Sequence, residues 1–239
     1  MENRMIELKR SLEKWNMTFT EEQLIQFEQY YELLLEWNSF MNLTAITDLQ
    51  EVIDKHFVDS LAIANYIPLK NQTILDLGTG AGFPGIPIKI LFPDVEIILM
   101  DSLNKRIKFL DAVIEKLQLQ YIKAVHGRAE DLAHQTVYRE RFDICTSRAV
   151  ANLSTLSEYC LPFVKHGGYF VSYKTAGAMK EIDGAKRAVR VLGGEIEKIE
   201  ELKLPGTDMT RTLVFIKKIE KTKNKFPRKA GTPSKEPID

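Results

Sequence analysis

Residues 73–85 read TILDLGTGAGFPG, and this stretch decides the fold. An apolar strand carries an acid, Asp76, near its end, and glycines follow at 78, 80, 82 and 85. Glycine lets a backbone turn tightly and approach a ligand where a side chain would collide. A nucleotide-like cofactor is therefore the first reading. Gly80, Gly82 and Gly85 satisfy GxGxxG, so a dinucleotide turn must be weighed. Asp76 argues against it. A pyrophosphate wants helix N-terminal amides with no acid nearby, whereas a carboxylate two residues before the first glycine suits a cationic amino group. S-adenosylmethionine carries an ammonium and a sulfonium and no phosphate, which fits this pattern better.

Outward from the turn, Pro84 and Pro87 are compatible with a first helical turn, and a helix is expected to about Phe92. A second strand, VEIILM, ends at Asp101, nineteen residues after Gly82. That is one βαβ step, and an acid there can accept from both ribose hydroxyls. Asp101 supports an adenosine moiety without choosing between the two cofactor classes. Strands and helices then alternate: a helix over 104–118, YIKAVHG, a short helix after Glu130, FDICTSR, a helix over 152–163, and GGYFVSYK. Alternation of this kind predicts an α/β fold with a parallel sheet covered on both faces. EIEKIEELKL and RTLVFIKKIE, joined through LPGTDMT, predict an antiparallel ending. Ligands of such sheets bind beyond the carboxyl ends of the strands. This nominates Asp76, Asp101, Arg128 to Glu130, Ser147 with Arg148, and Lys174.

Before the sheet, residues 1–65 form a helical region, with Thr20 a plausible N-cap and Leu24, Phe27, Tyr31 and Leu34 at helical spacing. A further helix is expected from Thr47 or Asp48. His56 and Asp59 share a face of it, where His56 reads either as a satisfied structural residue or as part of a pocket mouth. Residues 66–216 make the cofactor domain. No apolar run approaches the roughly 20 residues of a membrane span, and the first ten residues lack a signal-peptide core, so a cytoplasmic location is expected. Two cysteines build neither a disulfide framework nor a zinc cluster, and the four histidines lack ligand spacing. No metal is implied. The net charge of zero conceals an asymmetry: residues 1–65 hold 12 acids and 5 bases, residues 217–239 hold 3 acids and 8 bases. This basic tail, with prolines at 227, 233 and 237, is expected to be flexible. It reads as a solubilising end or as an arm along a phosphate backbone, with Phe226 free to stack on a base.

The order of elements, DLGTGAGFPG, Asp101 and the antiparallel ending resemble the S-adenosylmethionine-dependent class I methyltransferase fold. NLTAI (42–46), KHFVDSL (55–61), GAGFPGIP (80–87), GRAED (127–131), SRAV (147–150) and PRKAGTP (227–233) tighten this to a resemblance to the glucose-inhibited division protein B family. The resemblance implies methylation of a guanine N7 in bacterial 16S ribosomal RNA. It also implies cofactor contacts at Gly78, Phe83, Ala129, Glu130 and Arg148, beside Asp76, Gly80, Gly82 and Asp101 from the turn itself. The partner is then 16S ribosomal RNA or the small ribosomal subunit, with no DNA or membrane, and the chain is expected to be a monomer. Lys225, Arg228 and Lys229 are the RNA-binding candidates.

Guanine N7 has an in-plane lone pair and no hydrogen to lose, so in-line attack on a sulfonium methyl needs no general base. Arg128, Arg148 and Lys174 are accordingly candidates for positioning the base, since an arginine fork matches its O6 and N7 edge. Neither cysteine follows a proline, unlike pyrimidine C5 methylation, and SRAV stands where adenine N6 methylation carries an Asp or Asn with two prolines and an aromatic. Four alternatives stay open: methylation at another RNA position, a small-molecule methyltransferase, a nicotinamide-dependent oxidoreductase, and a non-enzymatic RNA-binding or regulatory protein that retains the pocket.

Overall fold

The computed structural model describes residues 4–148 and 150–238. Helix α1 (Ile6–Lys14) and helix α2 (Glu21–Met41) open the chain. Thr20 and Gln23 cap α2 reciprocally, each side chain accepting from the other's backbone amide, which satisfies two donors that the first turn would leave bare. The other end of α2 stops at Asn42, whose φ of 51° is left-handed. Asp48 caps α3 (Leu49–Val52) by accepting from Glu51 N at 3.0 Å. The same rod continues in wide π-type turns over Ile53–Val58 and ends in α4 (Asp59–Leu61). Such turns re-aim side chains relative to an α-helix, and here they overlap KHFVDSL.

Seven strands form one sheet. β1 (Thr73–Leu77), β2 (Glu96–Asp101), β3 (Ile122–His126), β4 (Phe142–Arg148) and β5 (Val164–Thr175) run parallel; β6 (Gly194–Lys203) and β7 (Thr210–Lys218) form an antiparallel hairpin. The order is β3-β2-β1-β4-β5-β7-β6, with β7 antiparallel to β5. β1 is central and buried from Ile74 to Leu77, as a parallel strand covered on both faces must be. Helices α5 (Gly85–Leu91) and α6 (Asn104–Lys116) lie on one face; α7 (Ala129–Leu132), α8 (Leu153–Cys160) and α9 (Met179–Val191) lie on the other.

Several expectations need correction. Residues 4–65 share one continuous core with β1, β2, α5 and α6: Leu8, Phe27, Tyr30 and Phe57 are wholly buried in the same cluster as Ile74 and Leu99. They form a layer packed onto one face of the sheet. The sequence reading also passed over α9. The tail, expected to be flexible, is packed. Phe226 is only 5% exposed, seated with Leu132, Ala133, Leu153 and Leu156, so it is not free to stack on a base. A short helix, α10 (Thr232–Lys235), follows. No helix among the described residues is long and apolar enough to cross a membrane.

Candidate active site

The carboxyl ends of β1 to β4 open onto a crevice of about 610 Å³. It runs from Gly127, Arg128, Ala129 and Glu130 after β3, past Asp101 and the Gly78 to Ala81 turn, to Arg148 at the end of β4. Of the candidates, Gly78, Gly80, Phe83, Asp101, Arg128, Ala129, Glu130 and Arg148 meet there. Ala149 of SRAV lies outside the described residues.

The turn is held from beneath by Asp76. Its carboxylate is fully buried and accepts from Thr79 Oγ1 (2.5 Å), Gly85 N (2.8 Å) and Thr146 Oγ1 (3.4 Å). Asp76 does not line the crevice, contrary to the expectation that it faces a cationic amino group; its acceptor capacity is spent on shaping the loop. Burial pushes its carboxyl up to about 6, against the hydrogen bonds from Thr79 and Gly85. Gly82 is likewise structural. Its φ is +100°, and a Cβ there would stand 2.7 Å from the Tyr30 hydroxyl. Asp101 does reach the crevice: Oδ2 accepts from Gly80 N and Arg106 Nη1, both at 3.0 Å, and Oδ1 accepts from Leu103 N at 2.9 Å. Both oxygens keep lone-pair capacity for hydroxyl donors.

Lys174 and Ser147 are not in the crevice. The Lys174 ammonium donates to Ala151 O (3.0 Å) and Glu181 Oε1 (2.7 Å), and the buried Ser147 hydroxyl donates to Leu77 O (2.9 Å). Arg228 is also occupied elsewhere: its guanidinium and backbone amide bind Glu158. Lys225 and Lys229 remain exposed on the tail.

At the β4 end the structure assembles a cluster that sequence reading only half anticipated. Arg148 Nη1 donates to Asp59 Oδ2 (2.8 Å) and Lys55 O (2.9 Å), and Arg211 Nε donates to the other Asp59 oxygen (2.9 Å). His56 stacks on Phe83 with ring centroids 4.4 Å apart, and the Arg148 guanidinium carbon lies 5.2 Å from the same ring's centroid. Thr44 Oγ1 accepts from Ile46 N (3.1 Å), so its proton is free to donate to His56 Nε2 (3.0 Å), while Nδ1 lies 3.1 Å from Lys55 O. Arg148 Nη2 stands 3.3 Å from the same Nδ1, so this nitrogen faces both a carbonyl acceptor and a guanidinium donor. Thr44, at the heart of NLTAI, and Arg211, from β7, had no chemical signal in the sequence.

Burial, and then the Arg148 charge, lower the His56 pKa to about 4. The sign follows directly. Between pH 6.5 and 4 the unfolded chain takes up a proton that native His56 refuses, so this residue costs stability as pH falls through that window. Asp76, raised to about 6, acts oppositely, because native Asp76 is protonated before the unfolded residue. His56→Gln removes the first effect and leaves the second. Its urea midpoint, compared with that of the parent protein, is expected to improve steadily from pH 6.5 to pH 4.5. Parallel midpoint-against-pH curves for the two proteins would contradict this.

A family model described as rRNA small subunit methyltransferase G matches residues 23–214. Among relatives, the Lachnoclostridium phytofermentans protein named ribosomal RNA small subunit methyltransferase G is 53% identical over 230 residues, covering 96% of this chain and 95% of that one. The Desulforamulus reducens protein of the same name is 49% identical over 239 residues, covering the whole of both chains. Among solved structures, M. jannaschii TYW2 in complex with AdoMet superposes with a TM-score of 0.54 at 15% identity, over 67% of this chain and 75% of that one. This last likeness concerns the fold.

Proposed function

The chain belongs to the rRNA small subunit methyltransferase G family, and from that premise we propose that its crevice holds S-adenosylmethionine and presents it to N7 of a guanine in 16S ribosomal RNA. One observation carries the choice of cofactor class. Nearly every amide of the glycine turn is already spent: Gly78 and Thr79 on Met100 O, Gly80 on Asp101, Gly82 and Phe83 on Thr79 O, Gly85 on Asp76 and Ile86 on Gly82 O. Ala81 alone keeps its donor in this run of described residues. A pyrophosphate needs a cradle of such donors, and one free amide is no cradle, which disfavours a nicotinamide dinucleotide. A donor without phosphate asks for room and a ribose acceptor. Gly80 supplies room, since a Cβ there would meet only Gly78 O at 4.0 Å, and Asp101 supplies the acceptor.

When bound, S-adenosylmethionine supplies an electrophilic methyl group on sulfonium. The chain's own work is orientation. Asp101 holds the ribose side. Phe83, packed against the His56 ring and the Arg148 guanidinium, gives a flat apolar wall. Arg148, whose Nη1 is spent on Asp59 and Lys55 O, keeps the Nε and Nη2 edge of its guanidinium at the β4 end of the crevice. The fork suits the O6 and N7 edge of guanine. It orients an electron-rich base, and no proton needs to move. Correct orientation of reacting groups supplies up to roughly 7–11 kcal/mol of barrier reduction in favourable systems. Arg128, exposed on the rim, and the exposed Lys225 and Lys229 of the tail are the candidates for meeting phosphates. In A-form RNA the groove holding N7 is deep and narrow, so the target base is unpaired or turned outward.

The test is transfer of labelled methyl from S-adenosylmethionine to 16S RNA and to 30S subunits from a strain lacking the gene. N7 methylation is then mapped by borohydride and aniline strand cleavage. Label is expected at a single guanine. Label with no cleavage moves the reaction to another atom, and absence of label from every form of the RNA overturns the proposal.

A further inference from the structure

The basic tail makes contacts that neither solubility nor RNA binding requires. Chain ends stay loose unless tied down, and this one is tied at many points. Arg139 donates to Thr222 O (2.8 Å), Lys223 O (3.2 Å) and Phe226 O (3.0 Å), and His134 Nε2 lies 3.0 Å from Pro227 O. Arg228 then grips Glu158 with its amide (2.7 Å), Nε (3.0 Å) and Nη2 (2.7 Å). The Glu158 carboxylate is wholly buried in α8. A buried carboxylate is costly unless paired and fully hydrogen-bonded, so α8 carries a socket that only the tail fills. Three residues on, Gly231 N donates to Glu130 Oε1 (3.0 Å), and Thr155 Oγ1 donates to Pro233 O (3.0 Å).

These ties bring the segment to one place. Gly231 is itself part of the crevice wall, as are Glu130 and Tyr159, the neighbour of Glu158. Across the sheet, β2 and β1 separate the β3 end of the crevice from Arg148 at the β4 end, and Asp101, the ribose acceptor, lies next to the β3 end. Gly231 adopts a φ of +82°, a conformation that side-chain-bearing residues rarely take, and a Cβ there would meet nothing within 4 Å. The glycine thus turns the backbone toward the crevice while its amide holds Glu130 in place.

We infer that the tail segment Arg228 to Pro233 is a structural wall of the donor pocket, closing the end that receives the adenine of S-adenosylmethionine and fixing Glu130 for it. The inference rests on the donor assignment made above. Ordering of the tail and binding of the donor are therefore coupled, and the tail contributes to affinity in the absence of RNA.

Isothermal titration with S-adenosylhomocysteine, without RNA, tests this on two variants of the full protein. Deletion of residues 229–239 leaves the Phe226 plug and the Arg228 to Glu158 pair, and removes the Gly231 wall. Gly231→Val keeps every other residue but puts a β-branched side chain at a left-handed φ. Both are expected to raise Kd at least tenfold, with the deletion's urea midpoint close to that of the parent and that of Gly231→Val lowered only by the cost of a side chain at a left-handed φ. If the deletion fails to fold, Gly231→Val decides. A Kd within twofold of the parent in the folded variants overturns the wall. A parent protein that binds no S-adenosylhomocysteine overturns the donor assignment and this inference together, so the two failures are distinguishable.

Discussion

Asp59→Ala is expected to destabilise the protein by about 3–5 kcal/mol, because it strands buried cations. Asp59 bridges Arg148 and Arg211 through separate oxygens, and the three side chains are only 4%, 14% and 17% exposed. Removing the carboxylate leaves two guanidinium groups near each other with no anion between them. Lys55 O still accepts from Arg148, and Arg211 Nη1 still lies 3.3 Å from Thr210 O, but neither neutralises charge. Urea denaturation at pH 7 measures the loss. Asp59→Asn keeps the shape and one acceptor, so it is expected to lose less stability while still releasing Arg148 from its fixed orientation. A misplacement of about 1 Å in a positioning group can cost roughly 100-fold in rate, and kcat/KM on 30S subunits should fall on that order. An Asp59→Ala protein that loses less than about 1 kcal/mol would show that solvent already reaches the pair and that Arg148 is held by other means.

Much of this molecule is readable from local physics. Thr20 and Gln23 announce a helix start because capping is a contact between neighbours in sequence, and TILDL announces a central strand because burial on both faces leaves no polar alternation. The acid after the second strand falls where one βαβ step puts it. What stayed hidden depends on contacts distant in sequence. Asp76 carries the same letter whether it faces a ligand or the underside of its own turn, and only the positions of Thr79, Thr146 and Gly85 decide. Lys174 looked like a strand-end cation until Glu181, from a helix that the sequence reading passed over, was brought against it. That helix was overlooked because MKEIDGAKRAVRV buries a narrow stripe of Ile182, Ala185, Ala188 and Val189, half of it alanine, beneath a charged exterior. The tail shows the same asymmetry. Its composition resists forming a core, yet its arginine and phenylalanine complete a core built by other segments.

Gly80→Ala and Gly85→Ala are expected to fail in opposite ways, though both residues belong to one GxGxxG. At Gly80 the added carbon meets no protein atom closer than 4.0 Å, and the residue lines the crevice. The φ of +63° costs an alanine roughly 1–2 kcal/mol, so the protein stays folded, but its methyl group occupies space that the donor needs. Its Kd for S-adenosylhomocysteine should rise roughly 100-fold, equivalent to about 2.7 kcal/mol. At Gly85 the added carbon would stand 2.3 Å from Leu99 Cδ2, 2.9 Å from Asp76 Oδ2 and 3.2 Å from Asp76 Cβ. Leu99 can rotate, at the overpacking cost of about 1–3 kcal/mol, whereas Asp76 cannot withdraw without giving up its bond to Gly85 N. Here stability falls first, and the donor is lost because the turn shifts. Titration and urea denaturation on the two variants separate the cases. Equal destabilisation with equal loss of binding would mean that the turn acts as one rigid unit, and that no single glycine of it faces the ligand.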